Sequence, residues 1–381
     1  MRVRIVMVCT ATLVLGAAGT TSAGARTASA GIQRTWTRFT VAGMVSDVKG
    51  RAAITDPALV NPWGLAMGKT LWVSATGTDS ATVYSGGIGT ARQERTHVRI
   101  PGGRPTGQVV NPGQEFTIKG KDGSGPATFI FASPSGAITG WNAQADADDA
   151  IISAFVKNSD LKGLALARTN RGPRLFAADF AQNRVHVFDG DFDRLRLHRR
   201  AFRDPALPPD YAPFNVEVVG RSVLVAYAKR DPRTGKAVPG PGKGFVSQFD
   251  GDGRFLGRFA TRGALNAPWA MTLAPSGFGT HAGALLVGNF GDGRINAYDP
   301  RTRRPLGPLC TPDGRPITLS GLWDLEPGTA ANGGENALWF SSGPDGGAHG
   351  LLGLIRPADA GADAPTSSAT PTAVPSSTSG Y

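Results

Sequence analysis

One phrase returns six times along this chain, and a chain made of near copies has few folds open to it. The clearest pair is Asn289-Phe-Gly-Asp-Gly-Arg-Ile-Asn-Ala-Tyr-Asp299 and Asp179-Phe-Ala-Gln-Asn-Arg-Val-His-Val-Phe-Asp189. In each, a short apolar run enters a turn carrying Asp or Asn, and an alternating run leaves it and ends on Asp. A unit this small cannot bury its apolar face alone, so self-similarity at a period of about fifty residues points to a propeller or a solenoid.

Set in register, every unit opens on an inner-strand segment: Asn61–Met67, Arg104–Val110, Asp160–Leu166, Ala212–Val218, Ala267–Leu273 and Gly321–Glu326. Their anchors are Trp63, Thr106, Lys162, Phe214, Trp269 and Trp323. A second segment follows in each, from Leu71-Trp-Val-Ser to Leu338-Trp-Phe-Ser, rich in residues that suit a buried pleat. A hairpin turn and a third segment complete the phrase. The spacing has room for four strands and their turns, which is the blade of a β-propeller. The last unit runs out of chain after its third strand, and Trp36–Ala42, before the first unit, is unclaimed. The sequence therefore predicts an all-β, six-bladed β-propeller over residues 31–357, its last blade closed by the N-terminal strand so that no sheet edge is left bare.

The ends read differently. Arg2 and Arg4 followed by apolar Ile5–Ala18 form a secretory leader over residues 1–30, with cleavage expected after Ala25 or Ala30. Residues 358–381 are rich in Pro, Ser, Thr and Ala and predict a disordered tail. Cys9 falls within the leader, so Cys310 alone remains and no internal disulfide forms, which a core of this size does not need. The formal charge is +11, but the arginines lie scattered in turns (Arg194, Arg196, Arg199, Arg200; Arg301, Arg303, Arg304) without interleaved aromatics, a pattern that argues against nucleic acid. The mature chain has no membrane span and is expected as a secreted, extracytoplasmic monomer. Its partner is an unidentified small molecule, cell-surface polymer or protein.

The third strands with their turns resemble the NHL-type repeat. More narrowly, Asp56-Pro-Ala-Leu-Val-Asn-Pro-Trp-Gly-Leu-Ala66, Gly136-Ala-Ile-Thr-Gly-Trp-Asn142, Tyr211-Ala-Pro-Phe-Asn-Val216, Asn266-Ala-Pro-Trp269 and Leu285 to Asp299 resemble an uncharacterised family of exported bacterial proteins. That resemblance implies a propeller-like fold and export, and brings no agreed activity with it.

In a propeller the inner strands line a central channel, and ligands bind at one of its mouths. Directly after the anchors come Gly64, Gly107, Gly163, Asn215, Ala270 and Asp324; two residues on, facing the same way, come Ala66, Val109, Ala165, Glu217, Thr272 and Glu326. Blades four and six break the small or apolar pattern together. Asn215, Glu217, Asp324 and Glu326 supply the oxygen donors that a hard cation such as Ca²⁺ requires, and Asn61, Asn266 and Asn289 would add to them if their turns face the mouth. Trp63, Trp269 and Trp323 are candidates to stack a ring-shaped ligand, or else to pack the blades. His281 and His349 lie in turns of neighbouring blades as candidate acid/base groups. The favoured function is a binding or interaction scaffold with its ligand at a channel mouth; the alternative is a calcium-dependent propeller hydrolase or lyase, resembling the propeller lactonases.

Overall fold

A computed structural model describes residues 36–358. The leader and all of the tail beyond Ala358 lie outside the described residues. Strands run from Phe39 to Pro357; six sheets are arranged as the blades of a β-propeller, and Thr117–Lys119 pairs with Ser124–Pro126 as a separate small hairpin. Among the described residues no helix is long and apolar enough to cross a membrane.

The six inner strands are Pro62–Met67, Gln108–Val110, Leu161–Thr169, Tyr211–Val219, Pro268–Leu273 and Leu322–Pro327. Each pairs antiparallel with the second strand of its blade. Blade two starts later than its sequence predicts, because Arg104 takes a φ of 50° and Pro105 follows it. Pairing there is carried instead by the Thr106 amide on the Ala132 carbonyl, at 2.8 Å.

The closing strand is where the unclaimed segment predicts it. Phe39–Ser46 lies antiparallel to Leu351–Pro357, from Phe39 opposite Pro357 to Ser46 opposite Leu351. Its burial is graded along the strand and does not alternate: Phe39 and the Met44–Ser46 end are buried, while Thr40 and Val41 between them stand exposed. The sheet gains a fifth, two-residue strand, Ile54–Thr55, parallel to Val45–Ser46.

Blade three departs from the four-strand expectation. Its sheet holds only Leu161–Thr169, Gly172–Asp179 and Arg184–Phe188. The chain beyond Phe188 meets the third strand at Arg194 and Leu195 and then leaves it.

The core is divided as a ring of wedges should be. Six apolar clusters each mix residues of two neighbouring blades, such as Leu224 and Val246 of blade four with Met271 and Leu285 of blade five. A seventh, of aromatic rings, sits on the axis. Bulky side chains at repeated positions fill the gaps between twisted sheets, and each buried Leu or Phe contributes roughly 1.5–3 kcal/mol.

Candidate functional site

The residue after each anchor decides how the blades meet at the axis. In blades one and two it is glycine, and its amide bonds across to the next inner strand: Gly64 to the Thr106 carbonyl at 2.9 Å, Gly107 to the Lys162 carbonyl at 2.7 Å. A Cβ at either position would lie 2.5 Å from neighbouring backbone. In blade four a side chain makes the tie, Asn215 Nδ2 donating to the Trp269 carbonyl at 2.8 Å. In blade six, Asp324 Oδ2 accepts from the Leu65 amide at 2.8 Å and Oδ1 from its own neighbour Leu325 at 2.9 Å. Two of the four polar residues that break the pattern are thus ring fasteners.

The anchors close one end of the channel. Trp63 and Trp323 stack with centroids 3.4 Å apart, Trp269 meets both edge-on, and Phe290 stacks on the far face of the group at 4.3 Å from Trp323. The three tryptophans are 6%, 2% and 5% exposed for Trp63, Trp269 and Trp323. No open ring face is left for a sugar, so packing, not ligand stacking, accounts for them.

Further along the inner strands the channel opens into a cavity of about 130 Å³. Glu217, Asp324 and Glu326 line it with Asn215, Gln108 and Thr272, and among the described residues no Lys, Arg or His lines it. All three acids are half-buried. Loss of solvent pushes the Asp324 carboxyl up to about 7, against the pull of the two backbone amides bound to it. Burial and then the neighbouring Asp324 charge lift Glu217 to about 8. Glu326 is raised well above the usual range by burial, then by Asp324 and Glu217. Like charges crowded in a poorly solvated space hold protons or seek a cation.

Gln108 is the member that the period-two reading missed. It sits one step out of phase with the columns compared, yet it lines the cavity and is 5% exposed. Its Nε2 donates to the Gly64 and Trp72 carbonyls at 2.7 and 2.6 Å, which leaves Oε1 buried without a partner among the described residues.

The other candidates are elsewhere. Asn61, at φ 47°, accepts from the Trp323 indole at 3.1 Å on the aromatic side. Asn289 is fully buried; it accepts from the Asn266 amide at 3.1 Å and donates to Ala264 and Asp292, while Asn266 caps the Gly240 amide at 2.6 Å. None of these three lines the cavity. His281 lies in the turn after the inner strand of blade five, packed on Trp36 and Phe39. His349 lies in the turn before the third strand of blade six, 2.8 Å from Asp47. Those two turns face opposite ends of the channel, so the pair does not meet.

The class these features define is a six-bladed β-propeller with an aromatic plug at one end of its channel and an acid-lined cavity toward the other. No family model matches the sequence. The chain belongs to one family with two uncharacterized proteins of Acanthamoeba polyphaga mimivirus. One is 34% identical over 343 residues, 85% of this chain and 82% of the relative. The other is 33% identical over 326 residues, 82% and 84% of the two. Among solved structures, the alpha-L-arabinofuranosidase of Fusarium graminearum in complex with arabinobiose aligns with a TM-score of 0.50 at 10% identity, over 84% of this chain and 98% of that one. The PQQ-bound aldose sugar dehydrogenase of Streptomyces coelicolor aligns with a TM-score of 0.45 at 13% identity, over 84% and 99%. At 10% identity the likeness to the arabinofuranosidase bears on the fold alone, since one fold hosts many chemistries.

Proposed function

We propose that this chain is a monomeric binding scaffold acting outside the cytoplasm, and that it takes a cation at the acid-lined end of its channel. The observation that carries the reading is three carboxyl groups on one cavity of about 130 Å³ that, among the described residues, has no basic residue in its lining. Gln108, whose Oε1 is buried without a partner among the described residues, lines the same cavity. A cavity of that size holds a few waters or a hydrated ion, whereas organic ligands occupy roughly 300–1,000 Å³. An all-oxygen donor set suits a hard cation of the Ca²⁺ class. Among the described residues no three His, Cys, Asp or Glu side chains stand gathered around one point. In this reading Glu217 and Glu326 rotate onto the ion while Asn215 and Asp324 stay fastened to the ring. Export rests on the leader-like residues 1–30.

The calcium-dependent hydrolase or lyase reading draws on one observation. Asp324 at about 7 and Glu217 at about 8 lie close to neutrality, where an acid/base pair works. It ranks second because the cavity has little room for a substrate beside an ion.

Metal analysis and melting of the mature protein, with EDTA and then with added Ca²⁺, test the proposal. The expected result is a higher melting temperature with Ca²⁺, and affinity weakened by about tenfold or more in Glu217→Gln and in Glu326→Gln, since each removes a charged ligand. A metal-free protein whose melting ignores both additives would sink the cation site.

A further inference from the structure

A cavity larger than the one in the channel lies off the axis, where blade three lacks its fourth strand. After Phe188 the chain touches the third strand only through Arg194 and through the Leu195 amide on the Val187 carbonyl at 2.8 Å. It then crosses toward blade four, where Phe202 packs on Phe249 of that blade and on Phe176 of blade three, and its amide bonds the Gly253 carbonyl at 2.8 Å. The arch that follows encloses a pocket of about 600 Å³, within the range of organic ligands.

Its walls have two characters. Phe202 and Leu207 give an apolar side, stiffened by Pro205, Pro208 and Pro209, whose rings fix φ. Arg199, Arg200 and Arg203 give a basic side, and all three are exposed. The one carboxylate there, Asp204, is already neutralised. It is gripped by Arg258 at 2.6 and 3.3 Å, by the Ser247 hydroxyl at 2.8 Å and by the Ala206 amide.

Tyr227 is the decisive residue. It lines the same pocket, is 1% exposed, and its hydroxyl has no hydrogen-bond partner among the described residues. Burying a hydroxyl unpaired destabilises a fold, and phenylalanine would fill the space without that cost. Burial and the Asp204 charge hold the hydroxyl protonated, a donor at any ordinary pH.

We propose that this pocket binds a small organic anion, an aromatic or otherwise apolar body carrying a carboxylate or a phosphate. The body lies against Phe202, Leu207 and the prolines, and the anionic head is held by the three arginines and by a hydrogen bond from Tyr227. The site is independent of the channel, so it stands whether or not a cation binds there.

Calorimetric titration of the full mature chain with 1-naphthoate, 1-naphthyl phosphate and neutral 1-naphthalenemethanol tests it. At least one anion is expected to saturate the protein one to one and to bind about tenfold or more tightly than the alcohol. Whichever anion binds better identifies the head group. Tyr227→Phe is expected to weaken that anion about tenfold, the worth of one hydrogen bond to a charged group, while the unliganded protein melts no lower than the parent. Replacing Arg199, Arg200 and Arg203 together by Ser is expected to abolish binding without lowering the melting temperature. Saturation by neither anion overturns the proposal. So does an anion that binds Tyr227→Phe or the triple variant as it binds the parent.

Discussion

Asn289 carries no charge and faces no cavity, yet it ties together three stretches of chain. Its side chain accepts from Asn266 and donates to Ala264 and Asp292 with no exposure to solvent. Asn289→Ala should lower stability by about 2–3 kcal/mol, as loss of a buried network does, while leaving the response to Ca²⁺ unchanged; thermal melting with and without Ca²⁺ reads both. A lost Ca²⁺ response would return Asn289 to the channel site. Glu217 and Glu326 were legible in the sequence as channel residues because two-residue spacing puts them on the face of Asn215 and Asp324. The fastening role of Asn215 and Asp324 was not, since their partners, the Trp269 carbonyl and the Leu65 amide, belong to other blades. Backbone groups have no sequence signature. Gln108 escaped for a related reason: alternation assigns it to the other face, and only the close approach of blades one and two brings it to the cavity wall.

At the level of elements, the phrase predicted almost every strand, because each carries its own buried pleat and turn. Closure by the N-terminal strand was legible as a deficit, one blade short and one strand unclaimed. Phe39–Ser46 pairs along nearly all of Leu351–Pro357. A chain beginning at Asp47 should therefore melt lower by about 10 °C or more and aggregate through its bared edge. A synthetic peptide of residues 36–47 should restore the parental melting; a truncated chain that melts like the parent would mean that the strand is an accessory. The missing strand of blade three was not legible, because the interval between Lys162 and Phe214 is long enough for it. What prevents it is composition. Pro205, Pro208 and Pro209 lack the amides a ladder needs, and the exposed arginines have no buried face to settle on. Arg199 and Arg200, read as scattered surface charge, became part of a pocket wall only when the arch was seen to close over Tyr227.

Across the whole molecule, six apolar wedges hold the ring together, while the acids at its centre work against the fold. The acids there are raised, Asp324 to about 7 and Glu217 to about 8. Their folded forms keep protons that the unfolded chain releases near pH 4. The stability this contributes is present at low pH and is lost as pH rises through 7 and 8. Asp179 and Asp204 are lowered, so their contribution fades only on acidification. Burial lowers His281, which favours the fold as pH rises toward 6.5, so the channel acids are read cleanly above that point. A cation bound among them would replace the protons and remove the loss. The most direct measurement is the melting temperature of the metal-free protein between pH 6.5 and 9, repeated with saturating Ca²⁺ and with Glu326→Gln. The account predicts a fall with rising pH that Ca²⁺ abolishes and Glu326→Gln reduces. A flat profile that Ca²⁺ leaves unmoved would contradict it.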